Sequence, residues 1–208
     1  TTSMSYGKQR QTKSIMRKVH VETEYWVESK LNKETMDYLW SQIKMAKEDH
    51  KDKLVGHLAS SLALPDTEGK LNECVVNLSK NIYHNYFTSQ FEQGILSVKH
   101  LWVNFQKKYD FNPLHNHNGA LSFVIWMKIP YKREDEANTA RTKGIAEGSI
   151  SGCFQFLFTS MLGQIIKHNY FLDPSYEGTI LIFPSQMNHA VYPFYTSDEE
   201  RISISGNI

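Results

Sequence analysis

Three histidines and one arginine are the residues whose types and spacing suit them to chemistry. His115 and His117 stand two apart in PLHNHNGALSFVIWMKIP, just before a strongly apolar run. On an extended chain residues i and i+2 point to the same side, so two imidazoles at this spacing can converge on one metal ion. Taken alone, such a pair also arises by chance in a histidine-bearing loop. A second constellation shifts that balance: EGTILIFPSQMNHAVYPFYTSDEERISISGNI. There His189 opens a strand and lies twelve residues before Arg201, which opens the last one. In that last strand Arg201, Ser203, Ser205 and Asn207 share one face, while Ile202, Ile204 and Ile208 lie on the other. A guanidinium fork followed at i+2 by a hydroxyl can hold a carboxylate. A metal ligand and a carboxylate clamp on neighbouring strands suit the two ends of a short dicarboxylate.

The remaining histidines, His20, His50, His57, His84, His100 and His168, have no partner at ligand spacing and are read as surface or hydrogen-bonded residues. Two cysteines, Cys74 and Cys153, are too few and too far apart for a disulfide framework or a thiolate zinc site. Cys74 is expected to be a buried residue on a helical stripe. With 208 residues, a net charge of +1, 40% hydrophobic and 22% charged residues, the chain has the composition of an ordinary globular protein. Balanced charge provides no overall field toward nucleic acid, and the basic stretch from Lys8 to Lys18 lacks the interleaved aromatics of a binding strip. No apolar run approaches the roughly 18 to 20 residues of a membrane span, and no secretory signal is recognised, so a cytoplasmic protein is expected.

The elements that must position these residues divide the chain. Residues 1–18 are read as a flexible arm, and 19–208 as a single domain with a mixed half (19–94) and a β-rich half (95–208). Val19 to Val27 favours a strand. Asn32 is a candidate N-cap for an amphipathic helix carrying Met36, Leu39, Trp40, Ile43 and Ala46. Leu71, Cys74, Val75, Leu78, Ile82 and Tyr86 mark a second helix. Seven strand candidates follow: 95–107, 119–129, 151–159, 164–171, 178–183, 190–195 and 201–208. Their turn signals argue for a sandwich or jelly roll. The polar stretch from Lys132 to Gly148 is expected to be a long exposed loop, and it and the helical half are the natural places for a specificity lid. Trp126, Phe154, Phe156 and Phe158 are read as core aromatics.

From Trp102 onward the chain resembles the double-stranded β-helix core of the 2-oxoglutarate- and iron(II)-dependent oxygenases. The pattern is that of a small family within them: Trp102-Val-Asn104, His115-Asn-His117, the strand from Ser122 to Pro130, Gly178 to Pro184, His189, and Arg201-Ile-Ser203-Ile-Ser205-Gly-Asn207. The resemblance covers about the C-terminal half. It implies a mainly β fold with flanking helices, a jelly-roll core with the N-terminal helices packed against it. It also implies Fe(II) held by His115, His117 and His189, O2 as oxidant, and 2-oxoglutarate with its distal carboxylate on Arg201 and Ser203. Asn104, Ser122 and Asn207 are candidates to contact the cosubstrate or shape its pocket. The chemistry implied is hydroxylation of an unidentified substrate: a protein, peptide or small molecule.

One departure stands out. Most of the superfamily carries Asp or Glu where His117 stands, so the site is one negative charge poorer and open to competition from Zn(II) or Ni(II). Two alternatives stay open: Asp110 bends in as a carboxylate ligand, or only one histidine of the pair binds. Two other functional classes are weighed against the oxygenase. A cupin-type metalloenzyme would add a Glu a few residues after the histidine pair, and Asn118 to Trp126 offers none. A non-catalytic β-sandwich binding module would take up no metal.

Overall fold

The computed structural model describes residues 26–50, 52, 54–87, 96–145 and 149–208. The arm at 1–18, His20 and most of the strand expected at 19–27 lie outside them, as does the side chain of His84. Among the described residues ten strands pair into two antiparallel sheets. The larger contains β1 (Val27–Lys30), β2 (Ser60–Ala63), β3 (His100–Gln106), β5 (Leu121–Lys128), β8 (Thr179–Pro184) and β10 (Arg201–Asn207), in the order β1-β8-β5-β10-β3-β2. The smaller contains β4 (Asn112–His115), β6 (Phe154–Thr159), β7 (Ile165–Tyr170) and β9 (Asn188–Val191), in the order β4-β9-β6-β7. Each of the seven expected strands overlaps an observed one, although of the run expected at 190–195 only Ala190 and Val191 are strand. The two short strands β2 and β4 were not anticipated, since four residues are too few to show a period.

Helices α1 (Lys33–Met45) and α2 (Lys70–Phe87) lie where their stripes predict. Asn32 caps α1 by accepting from the Thr35 N–H at 2.9 Å, and Asp66 accepts from the Leu71 and Asn72 N–H groups at the start of α2. Leu71 and Val75 are fully buried, whereas Cys74, expected to be buried, is only half so. Cys74 lies about 100° round the helix from Val75, at the edge of the buried face.

The two faces of the larger sheet carry different cores. Toward the helices, Phe123, Ile125 and Met127 of β5, Ile180 and Ile182 of β8 and Ile204 of β10 pack with Leu39, Ile43, Leu71 and Val75. Toward the smaller sheet, Val124 and Trp126 of β5 and Leu181 and Phe183 of β8 meet Phe154, Phe156, Tyr170 and Phe194. Covering on both faces is why β5 and β8 read as continuous apolar runs rather than alternating ones. The expected core aromatics Trp126, Phe154 and Phe156 are buried here, with Phe158 partly so.

The stretch 132–148 departs from expectation in part, in that it is not all loop. Its described part begins with a short helix, α3 (Arg133–Ala137), and is pinned to the body rather than free. Glu136 is fully buried, and Arg133 stacks on Phe171 at 4.3 Å while donating to the carbonyls of Ser149 and Ser151. Most described residues of the stretch are exposed as expected; Glu136 and Thr142 are the buried exceptions, because their polar atoms meet hydrogen-bond partners inside the fold. Among the described residues no helix is long and apolar enough to cross a membrane.

Candidate active site

The two strands of the smaller sheet nearest its edge bring the histidines together. His115 ends β4 directly opposite His189 on β9, and the His117 N–H donates to the Ser185 carbonyl at 2.8 Å, which fixes the chain just beyond β4. The ligand nitrogens of His115, His117 and His189 lie within 4.8 Å of one another. Two of the rings are locked from behind. Nδ1–H of His115 donates to the Pro113 carbonyl at 2.7 Å and Nδ1–H of His189 to the Met187 carbonyl at 3.0 Å, which leaves each Nε2 lone pair for an ion. Burial, reinforced by the neighbouring His115 imidazole, lowers His117 to about 4 and His189 to about 3, and burial lowers His115 as well. All three are therefore neutral near pH 7, and an arriving cation has no proton to displace. Phe154 and Phe183 pack on the His189 ring with centroids at 5.6 and 5.0 Å, so the ligand side is walled by hydrocarbon.

Asp110 takes no part in this cluster. Its Oδ2 accepts from the Ala59 N–H at 2.7 Å and the Lys107 N–H at 3.0 Å, closing the turn after β3. Among the described residues the cluster is three imidazoles without a carboxylate. A set of three neutral nitrogens on one side of a cavity fits a divalent first-row metal and leaves its other positions open.

The histidines face a cavity of about 470 Å³ between the sheets. Its far wall is the inward side of β10 and β3, whose register sets Arg201 opposite Gln106, Ser203 opposite Asn104, Ser205 opposite Trp102 and Asn207 opposite His100. Asn104 accepts from the Ser61 hydroxyl at its Oδ1, and Asn207 from the Ser122 hydroxyl at 2.8 Å, so both amides turn their N–H groups elsewhere. Ser122 is thus not on the cavity wall; it lies behind Asn207 and also bonds Ser185 at 3.0 Å. The Ser203 and Ser205 hydroxyls have no protein partner among the described residues. Among the described residues no aspartate or glutamate lines the cavity, whereas Lys99 and Arg201 do. The wall is built of donors and positive charge, which suits an anionic ligand.

Arg201 is 2% exposed and has no ion-pair partner among the described residues, a rare state for a buried cation. Its hydrogen bonds go to neutral acceptors. Nε and Nη2 both reach Gln106 Oε1 (3.2 and 2.6 Å), Nη1 reaches the Tyr131 hydroxyl and the Gly152 carbonyl (2.5 and 2.8 Å), and Nη2 also reaches the Tyr192 carbonyl (3.2 Å). An unneutralised buried charge facing a cavity is a site for an anion.

Gln106, Tyr131, Gly152, Tyr192 and His100 were not found from sequence. Gln106 had a signal, because Trp102, Asn104 and Gln106 alternate toward one face of a strand. Gly152 could be recognised only from the fold. It has φ +68°, and a Cβ there would lie 2.7 Å from the Tyr131 ring. A Gly152→Ala variant is expected to lose about 3 kcal/mol in a urea titration, from backbone strain plus displacement of Tyr131. It is also expected to weaken anion binding at Arg201, because Gly152 supplies one of the acceptors that hold the guanidinium.

A family model described as "Putative 2OG-Fe(II) oxygenase" matches residues 100–207, more than half of the chain. The chain belongs to this family. Fe(II), 2-oxoglutarate and O2 are the reagents of its chemistry. A Pseudomonas putida prolyl-4-hydroxylase structure matches the oxygenase with a TM-score of 0.51 at 12% identity, covering 88% of this chain and 91% of that one. A Burkholderia pseudomallei oxidoreductase of the 2OG-Fe(II) oxygenase family matches with a TM-score of 0.49 at 13% identity, over 87% of this chain and 82% of that one. At such identity the likeness speaks to fold, and the two sheets of the oxygenase are those of a double-stranded β-helix. No curated protein matches the chain in sequence.

Part of the cavity wall is formed by residues that had not been singled out. Leu54, Val55, Gly56 and Leu58 line it from the N-terminal half, and Asn112, Asn116 and Asn118 from β4 and the turn after it. Of the two regions expected to be places for a lid, the described residues of 132–145 do not line the cavity, whereas the segment before β2, in the N-terminal half, does.

Proposed function

We propose that the oxygenase is a hydroxylase, in which His115, His117 and His189 hold Fe(II) and Arg201 with Ser203 anchors the distal carboxylate of 2-oxoglutarate. Residues 19–208 are read as one oxygenase domain, acting on an unidentified protein, peptide or small molecule. The observation that carries this reading is the pairing of a three-imidazole cluster with a buried arginine across one cavity, with no acidic residue on its lining or beside the arginine among the described residues. When bound, the iron supplies activation of O2 coupled to oxidative decarboxylation of the cosubstrate.

The chain's own residues do the rest. Carbonyls of Pro113 and Met187 keep the Nε2 atoms of His115 and His189 aimed inward. The Ser203 hydroxyl and the amide of Asn104 sit side by side on paired strands as donors to the cosubstrate. Asn207, oriented by Ser122, offers its amide N–H groups at the far end of the same wall, next to His100. Trp126, Phe154 and Phe183 exclude water from the reacting side.

Anaerobic titration with Fe(II) followed by 2-oxoglutarate tests the assignment. The visible metal-to-ligand charge-transfer band of the ternary complex is expected to appear and to saturate at one equivalent. Metal uptake without that band would favour a metalloenzyme that does not use the oxoacid, and absence of uptake would favour a binding module.

A further inference from the structure

The hydrogen bonds of Arg201 are complete before any ligand arrives. A guanidinium has five N–H groups, and the five contacts to Gln106, Tyr131, Gly152 and Tyr192 use them all. A carboxylate can engage Arg201 only by displacing one of these acceptors. Two are backbone carbonyls, and the Tyr131 hydroxyl is itself tied to the Gly152 carbonyl at 2.7 Å. None of Tyr131, Gly152 and Tyr192 lines the cavity, whereas Gln106 does.

We propose that Gln106 is the gate of the carboxylate subsite: its side-chain oxygen stands in for the ligand on the Nε and Nη2 side of Arg201 and swings away when a carboxylate binds. The inference rests on the reading of Arg201 as the anchor. Gln106 covers that fork with one neutral oxygen, at unequal distances of 3.2 and 2.6 Å. A carboxylate brings two oxygens to the same fork together with the charge that Arg201 lacks, and charge-assisted bonds are the stronger kind. In leaving, the amide must also break or pivot on its bond to the Asp110 carbonyl at 2.5 Å. Gln106 therefore taxes every ligand of the fork and sets which ones succeed. A carboxylate overcomes the tax, and a neutral amide or ketone in its place does not.

The test is calorimetric titration of the Mn(II)-loaded protein under argon with 2-oxoglutarate and, separately, with 2-oxobutyrate, which keeps the chelating oxoacid but lacks the distal carboxylate. Gln106→Ala removes the competitor and is expected to tighten 2-oxoglutarate about threefold to tenfold, with 2-oxobutyrate unchanged. Gln106→Glu is isosteric, places a fixed carboxylate on the fork, and is expected to weaken 2-oxoglutarate by about a hundredfold or more while sparing 2-oxobutyrate. An unchanged or weakened affinity in Gln106→Ala, or equal effects on both oxoacids, overturns the gate. Gln106→Glu binding 2-oxoglutarate as the parent does overturns it independently, should the alanine variant fold poorly. Arg201→Lys separates the two ideas. If it loses 2-oxoglutarate and keeps 2-oxobutyrate, the anchor holds whatever Gln106 does; if it leaves 2-oxoglutarate unaffected, the anchor reading fails and the gate with it.

Discussion

A His189→Ala protein is expected to lose Fe(II) binding by about a thousandfold or more, and with it all 2-oxoglutarate decarboxylation, while its far-ultraviolet circular dichroism is unchanged. Loss of a hydrogen-bonded partner behind a ligand typically costs about ten- to a hundredfold in metal affinity, and His189 is proposed as a ligand itself. It is also the most buried of the three, 4% exposed, and the one whose ring is walled by Phe154 and Phe183. The cost to the fold is smaller, about 2 kcal/mol, because truncation strands the Met187 carbonyl and opens a space beside the two phenylalanines. Anaerobic metal titration separates the two effects. A variant that still takes up one equivalent of Fe(II) with parental affinity would remove His189 from the ligand set. His117→Asp supplies the contrast. It places a negative charge beside the cation in a site with no carboxylate of its own, and should tighten Fe(II) relative to the parent.

Glu136→Ala is the substitution expected to do most damage to stability without touching the cavity, about 4 kcal/mol in a urea titration. The carboxylate is completely buried. It accepts from the Tyr195 N–H at 2.9 and 3.0 Å, from the Thr196 N–H at 2.8 Å and hydroxyl at 2.6 Å, and from the Ser151 hydroxyl. Removing it takes their shared acceptor from two backbone N–H groups and two hydroxyls; the exposed Thr196 can turn to water, whereas the half-buried Tyr195 N–H and the buried Ser151 hydroxyl have less access to it. Glu136→Gln keeps one oxygen acceptor and should cost about half as much. The segments it joins, 149–153 and 192–196, also carry the Gly152 and Tyr192 carbonyls that hold Arg201. Both variants are therefore expected to weaken 2-oxoglutarate as well as the fold. A Glu136→Ala protein within 1 kcal/mol of the parent would show that these contacts contribute little.

The sequence by itself determined a good deal about this protein. Seven strands and both long helices were legible because each carries its own period, and their caps and turns are local chemistry. The histidine pair could be read because i and i+2 share a side on any extended chain, and the face of β10 because alternation is a property of the strand alone. That His189 stands opposite His115, and that the third member of the cluster is an imidazole while Asp110 closes a turn, are facts of strand pairing and loop path, which no local pattern encodes. Glu136 looked solvated because its partners lie 15 and about 60 residues away in the chain. Arg201 looked like an open clamp because its neighbours Gln106, Tyr131, Gly152 and Tyr192 come from four separate segments. Local periodicity specifies which way a side chain points; only the tertiary structure decided what was already there to meet it.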